Sequence, residues 1–477
     1  MLLVEINEPK WEYDVHSLVK AFYPERTVKV ISPERIGEAP AEIVVRCDPQ
    51  EVSVSFAGKD GVSHTWEADE SGKKNEFKRF FYRCLCETCG KELPWGNLTG
   101  IRPTKIAMGM LEQGATKEDV FSVFEQEHFV SREKTELAYE IAEREREILS
   151  SLHYKDGYSL YIGIPFCPST CLYCSFTSYP IGAYRSRVEE YIDCVIKEMR
   201  ETARIMSGKI LDTVYIGGGT PTTLSPEQLD RLILNLKEIF DFSTVQEFTV
   251  EAGRADSITK EKLQVLYKHG VSRISVNPQT MKEETLRSIG RAATAAQTIE
   301  AFKLARECGF DNINMDIILG LPGEGREDVQ ATVRRICELE PDSLTVHSLA
   351  VKRASKLRQF IEENGMDMIS NTDETMNIAS EGAAYMGMKP YYLYRQKNMS
   401  GNFENVGYAK EGKAGIYNIL IMEEVQTIVA LGAGSITKRV FPDGRIERCD
   451  NVKDVALYIE KINEMLERKR ELFEVER

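Results

Sequence analysis

The chain has 477 residues, enough for two to four domains and a large core, and 42% hydrophobic with 29% charged residues excludes a disordered class. A formal net charge of −14 argues against broad nucleic-acid binding, which needs a positive field, yet leaves room for an anionic small molecule in a locally basic pocket. No run of about eighteen apolar residues offers a membrane span, and Met1-Leu2-Leu3-Val4-Glu5 meets acid too soon for a signal peptide, so a cytoplasmic protein is expected.

Residues 1–95 carry short alternating pieces at 27–31, 42–46 and 52–56, which predict a small N-terminal α+β accessory module. Residues 96–152 read as a helical linker ending in a charge-rich stretch, with Trp95 and Arg102 as structural residues at the junction. From 153 to 370 the chain alternates regularly. Apolar, β-branched runs lie at 160–165, 213–216, 248–251, 273–277, 313–319 and 344–347, separated by amphipathic stretches of helical period. Six strand-then-helix units predict a parallel sheet with right-handed crossovers, and the runs read as strands buried on both faces. Such units curl into a partial (β/α)6 barrel of the TIM type, with function at the C-terminal strand ends. Residues 371–477 hold helices, a strand candidate at 391–395 and a closing helix near 451–473. They are expected to form a separate α/β extension covering the substrate.

Eleven cysteines, an odd number, read as thiols and metal ligands rather than a disulfide framework. Three follow the first barrel strand in Tyr161-Ile-Gly-Ile-Pro-Phe-Cys167-Pro-Ser-Thr-Cys171-Leu-Tyr-Cys174. A loop of that length can wrap three thiolates round three irons of one [4Fe-4S] cubane, leaving the fourth iron open. Zinc would want a fourth Cys or His close by, and none follows until Cys194 on a predicted helix. After the second strand comes Ile216-Gly217-Gly218-Gly219-Thr220-Pro221-Thr222, where consecutive amides can approach a ligand without Cβ clashes. Glu251, Gln279, Arg291 and Asp316 are polar groups at the expected mouth. Cys84, Cys86 and Cys89 form a second cysteine group without an adjacent fourth ligand and are read as free thiols. Cys47, Cys194, Cys308, Cys337 and Cys449 are read as packing residues, and His347 as a satisfied barrel histidine.

The cysteine spacing at a first barrel strand, with the glycine triplet and Asn314-Met-Asp-Ile-Ile-Leu-Gly-Leu-Pro322, resembles the radical S-adenosylmethionine (SAM) superfamily. Gly290-Arg291, Pro390-Tyr-Tyr-Leu-Tyr-Arg-Gln-Lys397, Asn405-Val-Gly-Tyr408 and Leu431-Gly-Ala-Gly-Ser435 narrow the resemblance. They are similar to the oxygen-independent coproporphyrinogen III dehydrogenase family and its heme-chaperone relatives. The segment Glu92-Leu-Pro-Trp-Gly-Asn-Leu-Thr-Gly-Ile-Arg-Pro-Thr-Lys105 resembles the clostridial and bacillar subgroup, which has an extra N-terminal domain. This likeness implies cluster ligands Cys167, Cys171 and Cys174. It implies SAM contacts at Tyr161, Tyr173, Gly218, Gly219 and Thr220, completed by Glu251, Gln279, Arg291, Asp316 and Ala350.

The implied activity is oxidative decarboxylation of coproporphyrinogen III to protoporphyrinogen IX by a SAM-derived 5′-deoxyadenosyl radical, with a flavodoxin- or ferredoxin-type protein as electron donor. An anionic tetrapyrrole needs cations, and Lys352, Arg353, Arg395 and Lys397 are the candidates, beside the reading of a solvated basic face for the same residues. Two departures leave alternatives open. The dehydrogenases carry a fourth cysteine two residues after the third, where this chain has Phe176, and this matches the chaperone branch. That branch carries a histidine before the asparagine of its tail motif, where this chain has Tyr417 before Asn418. A heme chaperone and another tetrapyrrole-directed radical enzyme, such as a heme-opening methyltransferase, are therefore the competing readings.

Overall fold

The computed structural model describes the chain apart from residues 33–39, 71, 101, 352–355, 366–367, 396–402 and 475–477. It divides into two compact units, Met1–Glu143 with Arg395–Phe403, and Arg144–Tyr394 with Glu404–Arg477. The cut therefore falls inside the helix Arg132–Ser150, and the expected linker helices lie mostly with the first unit.

The first unit holds β1 (Leu2–Ile6), β2 (Val28–Ile31), β3 (Ile43–Cys47), β4 (Glu51–Phe56) and β5 (Val62–Thr65) in the order β2-β1-β3-β4-β5. β1 is parallel to β2 and β3, and β3, β4 and β5 run as an antiparallel meander. The helix Glu12–Phe22 buries Val15, Leu18, Val19 and Phe22, a stripe at helical spacing. With Phe77, Phe81 and Leu85 of the helix Lys73–Cys89, these side chains join one core with the inward faces of β1, β3 and β4. Cys84, Cys86 and Cys89 ride on that helix, and the Cys89 thiol meets the Tyr23 hydroxyl at 3.1 Å.

In the second unit, β6 (Gly157–Ile164) leads into the short pair β7 (Phe166–Cys167) and β8 (Tyr179–Pro180). Then come β9 (Ile210–Gly218), β10 (Glu247–Gly253), β11 (Arg273–Val276), β12 (Ile313–Leu319) and β13 (Ser343–Ser348). β6, β9, β10, β11, β12 and β13 are neighbours in that order and all parallel, with a helix between each successive pair. These are the six predicted units. Sequence capping starts several crossovers: Ser225 with Gln228, and Thr294 with Gln297, close reciprocal capping boxes.

The tail does not fold apart. β14 (Lys389–Tyr394) and β15 (Asn405–Ala409) add antiparallel strands beyond β13. On the other edge β16 (Thr427–Leu431) pairs parallel to β6, followed by antiparallel β17 (Ile436–Val440) and β18 (Ile446–Asp450). The expected separate extension is thus part of one eleven-stranded sheet, because its apolar runs complete the open edges of the six-strand core. The expected closing helix is two, Val455–Glu460 and Ile462–Glu474. Buried Lys469 on the second pairs with buried Glu198 of the helix Val188–Ile205. Glu198 also accepts from Gly432 N at 2.8 Å, Asn451 Nδ2 at 2.7 Å and the Tyr458 hydroxyl at 2.6 Å, so the charge pair is hydrogen-bonded on all sides. Among the described residues no helix is long and apolar enough to cross a membrane.

The six strands are apolar on one face only, in contrast to the expected continuous runs. Leu160, Ile162, Val214, Ile216, Phe248 and Val250 pack towards the helices. The alternate positions are Ser159, Tyr161 and Gly163, then Thr213, Tyr215 and Gly217, then Glu247, Thr249 and Glu251. Arg273, Ser275, Asn314, Asp316, Ser343, Thr345 and His347 continue the same face. Its members bond one another: Thr213 Oγ1 to Ser159 Oγ at 2.8 Å, Arg273 Nη2 to Ser343 Oγ at 3.0 Å, and Thr345 Oγ1 to Asn314 Oδ1 at 3.2 Å. An interior face built from such groups is a hydrogen-bonded polar layer rather than a sealed apolar core.

Candidate active site

The cysteine loop leaves the C-terminal end of β6 and is tied to the strand ends around it. Gly219 N donates to Ile164 O at 2.8 Å, and Thr220 N to Phe166 O at 2.7 Å. Leu172 N donates to Ile289 O, and its carbonyl accepts from Leu357 N, each at 3.0 Å. Cys167 and Cys171 are buried and Cys174 is half-buried. Thr220 Oγ1 donates to Cys167 Sγ at 3.4 Å, Arg254 Nη1 to Cys171 Sγ at 3.8 Å, and Ser178 Oγ lies 3.9 Å from Cys174 Sγ. Burial pushes the Cys167 thiol up, the Thr220 hydrogen bond opposes it, and the charges of Cys174 and Cys171 add to the rise. Among the described residues no three His, Cys, Asp or Glu side chains converge tightly enough to hold one metal ion.

The glycine triplet forms the next wall. Gly218 adopts φ +110°, and a Cβ there would lie 3.3 Å from the Tyr161 hydroxyl and from Ile164 backbone atoms. A Cβ on Gly219 would meet Phe166 O at 2.6 Å, and one on Gly217 would meet Glu251 Oε1 at 3.1 Å. No side chain fits at Gly217 or Gly219 without displacing its neighbours, so the triplet's backbone lies directly against the strand end that carries the thiol loop.

Around it stand the other predicted contacts. Tyr161 stacks near Tyr215 (6.1 Å between ring centres) and Tyr417 (6.2 Å), and the latter two stack at 4.5 Å. Glu251 accepts from the Tyr215 hydroxyl at 2.5 Å. Burial pushes its carboxyl up to about 7, against the pull of that bond and with help from Asp316. Burial also acts to raise Asp316, but the hydrogen bond and charge of His347, with Asn314 and Arg273, outweigh it and hold the group low. Gln279 takes a left-handed φ of +65° and bridges to β12, its N donating to Asp316 O at 2.9 Å. Arg291 donates to Asn277 O at 2.6 Å, and its charge acts on Tyr173 and Cys171. Burial raises Tyr173, and the Arg291 charge opposes that rise. Ala350, half-buried, follows the end of β13.

Two of these groups and two neighbours present unsatisfied polar atoms. Ser275 Oγ, Asn277 Oδ1, Gln279 Oε1 and Arg291 Nε are buried without a hydrogen-bond partner. Buried polar atoms left so at strand ends call for a polar ligand. With a three-thiol loop and a side-chain-free glycine backbone beside it, the residues fit a cluster with one open iron and a zwitterionic nucleotide next to it.

The cation candidates separate. Arg395 is buried within the first unit, donating to Leu98 O at 2.5 Å with its guanidinium 5.7 Å from the Trp95 ring centre. Lys352, Arg353 and Lys397 lie outside the described residues. Sequence reading passed over Tyr215, Tyr417 and Arg254 as site residues. Tyr215 could have been found from its alternation with Gly217, and Arg254 from the Arg254-Ala-Asp256 pair just past Glu251. Tyr417 was noted only as the residue before Asn418 in the tail motif, and its place beside Tyr161 and Tyr215 comes from the tail helix Ile416–Glu423.

The model of the radical SAM superfamily matches residues 161–336, the span that contains this loop, glycine triplet and mouth. The chain is 40% identical over 401 residues to "Oxygen-independent coproporphyrinogen-III oxidase-like protein HemZ" of Bacillus subtilis (strain 168), covering 83% of this chain and 80% of that protein. It is 37% identical over 195 residues to "Heme chaperone HemW" of the same organism, 41% of this chain and about half (51%) of the relative. Coproporphyrinogen III oxidase (HemN) from Escherichia coli shares the fold, with a TM-score of 0.52 at 21% identity over 67% of this chain and 73% of that one. Fold and site thus define a radical SAM protein, a class whose members bind a [4Fe-4S] cluster and SAM. Within that class the chain belongs to the oxygen-independent coproporphyrinogen-III oxidase-like family.

Proposed function

We propose that this protein is an oxygen-independent tetrapyrrole oxidoreductase of the cytoplasm, which converts two propionates of coproporphyrinogen III to vinyls and so yields protoporphyrinogen IX. The observation that carries the reading is the three-thiol loop lying, beside the glycine triplet, at the end of strands whose interior face is mostly polar. The likeness over four-fifths of a coproporphyrinogen-III oxidase-like relative supports the substrate class.

Cys167, Cys171 and Cys174 would hold the cluster, and the Gly218–Gly219–Thr220 backbone would take the amino-acid end of SAM. Gln279 Oε1 and Arg291 Nε, both short of a partner, would complete that pocket. When bound, cluster and SAM supply a one-electron cleavage of the sulfonium and hydrogen abstraction from an unactivated carbon. Among the chain's own groups, the stacked Tyr161, Tyr215 and Tyr417 shape the interior face and limit water at it, which a reactive carbon radical requires. Lys352 and Arg353 are proposed to meet substrate carboxylates, and a flavodoxin- or ferredoxin-type protein to supply the electron.

The second reading, a heme chaperone, is favoured by the HemW likeness and by Cys174-Ser175-Phe176, which lacks a further cysteine. Against it, none of the six histidines lies beyond residue 347, so the tail offers no imidazole for heme iron. Anaerobic incubation of reconstituted protein with SAM, a reductant and coproporphyrinogen III separates the readings. Vinyl products with consumption of SAM are expected. Stoichiometric heme binding without turnover would favour the chaperone and overturn the decarboxylase, and a methylated linear tetrapyrrole made from heme would point to a heme-opening methyltransferase.

A further inference from the structure

Cys171 differs from its two companions in what faces its sulfur. Cys167 and Cys174 each have a hydroxyl as their hydrogen-bonding neighbour, whereas Cys171 has a guanidinium, Arg254 at 3.8 Å, and also feels the charge of buried Arg291. Arg254 follows β10 by one residue and is only 4% exposed. Asp256 grips it in a fork, Nε to Oδ1 at 3.0 Å and Nη2 to Oδ2 at 2.6 Å. The remaining corner, Nη1, is thereby aimed at the cysteine loop. It donates to Ser169 O at 3.0 Å and Ser169 Oγ at 2.9 Å as well as to Cys171 Sγ. A guanidinium pinned on two sides keeps its charge and its direction.

Hydrogen bonds and positive charge at a cluster thiolate stabilise the reduced, more negative state, and so raise the reduction potential. A counter-ion on the far side of the cation weakens that effect. We propose that Arg254 and Asp256 set the cluster's reduction potential through Cys171, Arg254 raising it and Asp256 moderating the rise. Arg254 is then a positioning residue that makes the first electron transfer easier. The inference rests on Cys167, Cys171 and Cys174 being the cluster ligands, and is independent of which tetrapyrrole reaction follows.

A purely mechanical role, stapling the loop through Ser169, predicts a different pattern, because loosening either partner of the pair would then act in the same sense. The test is an EPR-monitored redox titration of the full chain, reconstituted anaerobically without SAM, after iron and sulfide per chain have been measured. Arg254→Met is expected to move the midpoint more negative, with a fall of about tenfold in the ratio of reduced to oxidised cluster at fixed potential (about 59 mV for one electron). Asp256→Asn is expected to move it the other way, Arg254→Lys to recover most of the loss, and Ser169→Ala to leave it unchanged. Unchanged midpoints, or shifts of the same sign in Arg254→Met and Asp256→Asn, would overturn the proposal. Should Arg254→Met fail to take up iron, the positive shift in Asp256→Asn decides. Wild-type protein that binds no iron would overturn the ligand assignment first and this inference with it.

Discussion

Gly219 has no room for a side chain, since the carbonyl of Phe166 lies 2.6 Å from where its Cβ would be. That oxygen belongs to the backbone that presents Cys167 and cannot swing aside as a flexible side chain would. Gly219→Ala should therefore push the thiol loop away from the strand end while the barrel stays folded. The expected outcome is loss of most reconstituted iron with an unchanged far-ultraviolet circular dichroism spectrum, and full iron uptake would contradict the geometry. Cysteine spacing and the glycine triplet were readable because each is a local device with its own signature. Arg254 was legible only as half of the Arg254-Ala-Asp256 pair, since its role comes from Cys171, 83 positions away.

Strand and helix existence followed from period, but the character of the strands did not. Runs such as 213–216 looked uniformly apolar because Thr, Tyr and Gly alternate with Val and Ile, and Tyr scores as apolar although its hydroxyl here bonds Glu251. The polar face is visible only once the sheet curls and gives the alternate positions a common interior. A second element hides a titrating group. Glu145, on the helix Arg132–Ser150, is fully buried, and neither carboxylate oxygen has a hydrogen-bond partner. Burial first, and the charge of Glu423 second, push its pKa well above the ordinary range.

The folded chain therefore keeps this proton at pH values where the unfolded chain has lost it. Its contribution to stability is intact below the unfolded pKa and declines as pH rises towards the folded value. Glu145→Gln, which cannot ionise, should match wild type in thermal denaturation near pH 4 and become progressively more stable than wild type as pH rises to 8. Melting curves whose difference does not change with pH would contradict the assignment.

At the scale of the whole molecule, six parallel units in chain order were legible, and the destination of the tail was not. β14 and β15 extend one edge of the sheet and β16 to β18 the other, and the pairing of β16 with β6 joins residues more than 250 positions apart, such as Tyr161 with Ala430. Long-range pairing of this kind leaves no local pattern to read. The same topology seats Tyr417 against Tyr161 and Tyr215, so the tail finishes the interior face that the six units begin. All of this gains chemical sense only when three thiolates at the mouth hold a cubane with one iron left open. The most direct measurement is iron and acid-labile sulfide in anaerobically prepared full-length protein, with the EPR signal of the reduced cluster recorded before and after addition of SAM. About four of each per chain are expected, with a signal that SAM perturbs and that is lost when Cys167, Cys171 and Cys174 are all changed to alanine. Protein free of iron, or a triple variant that keeps it, would contradict the account.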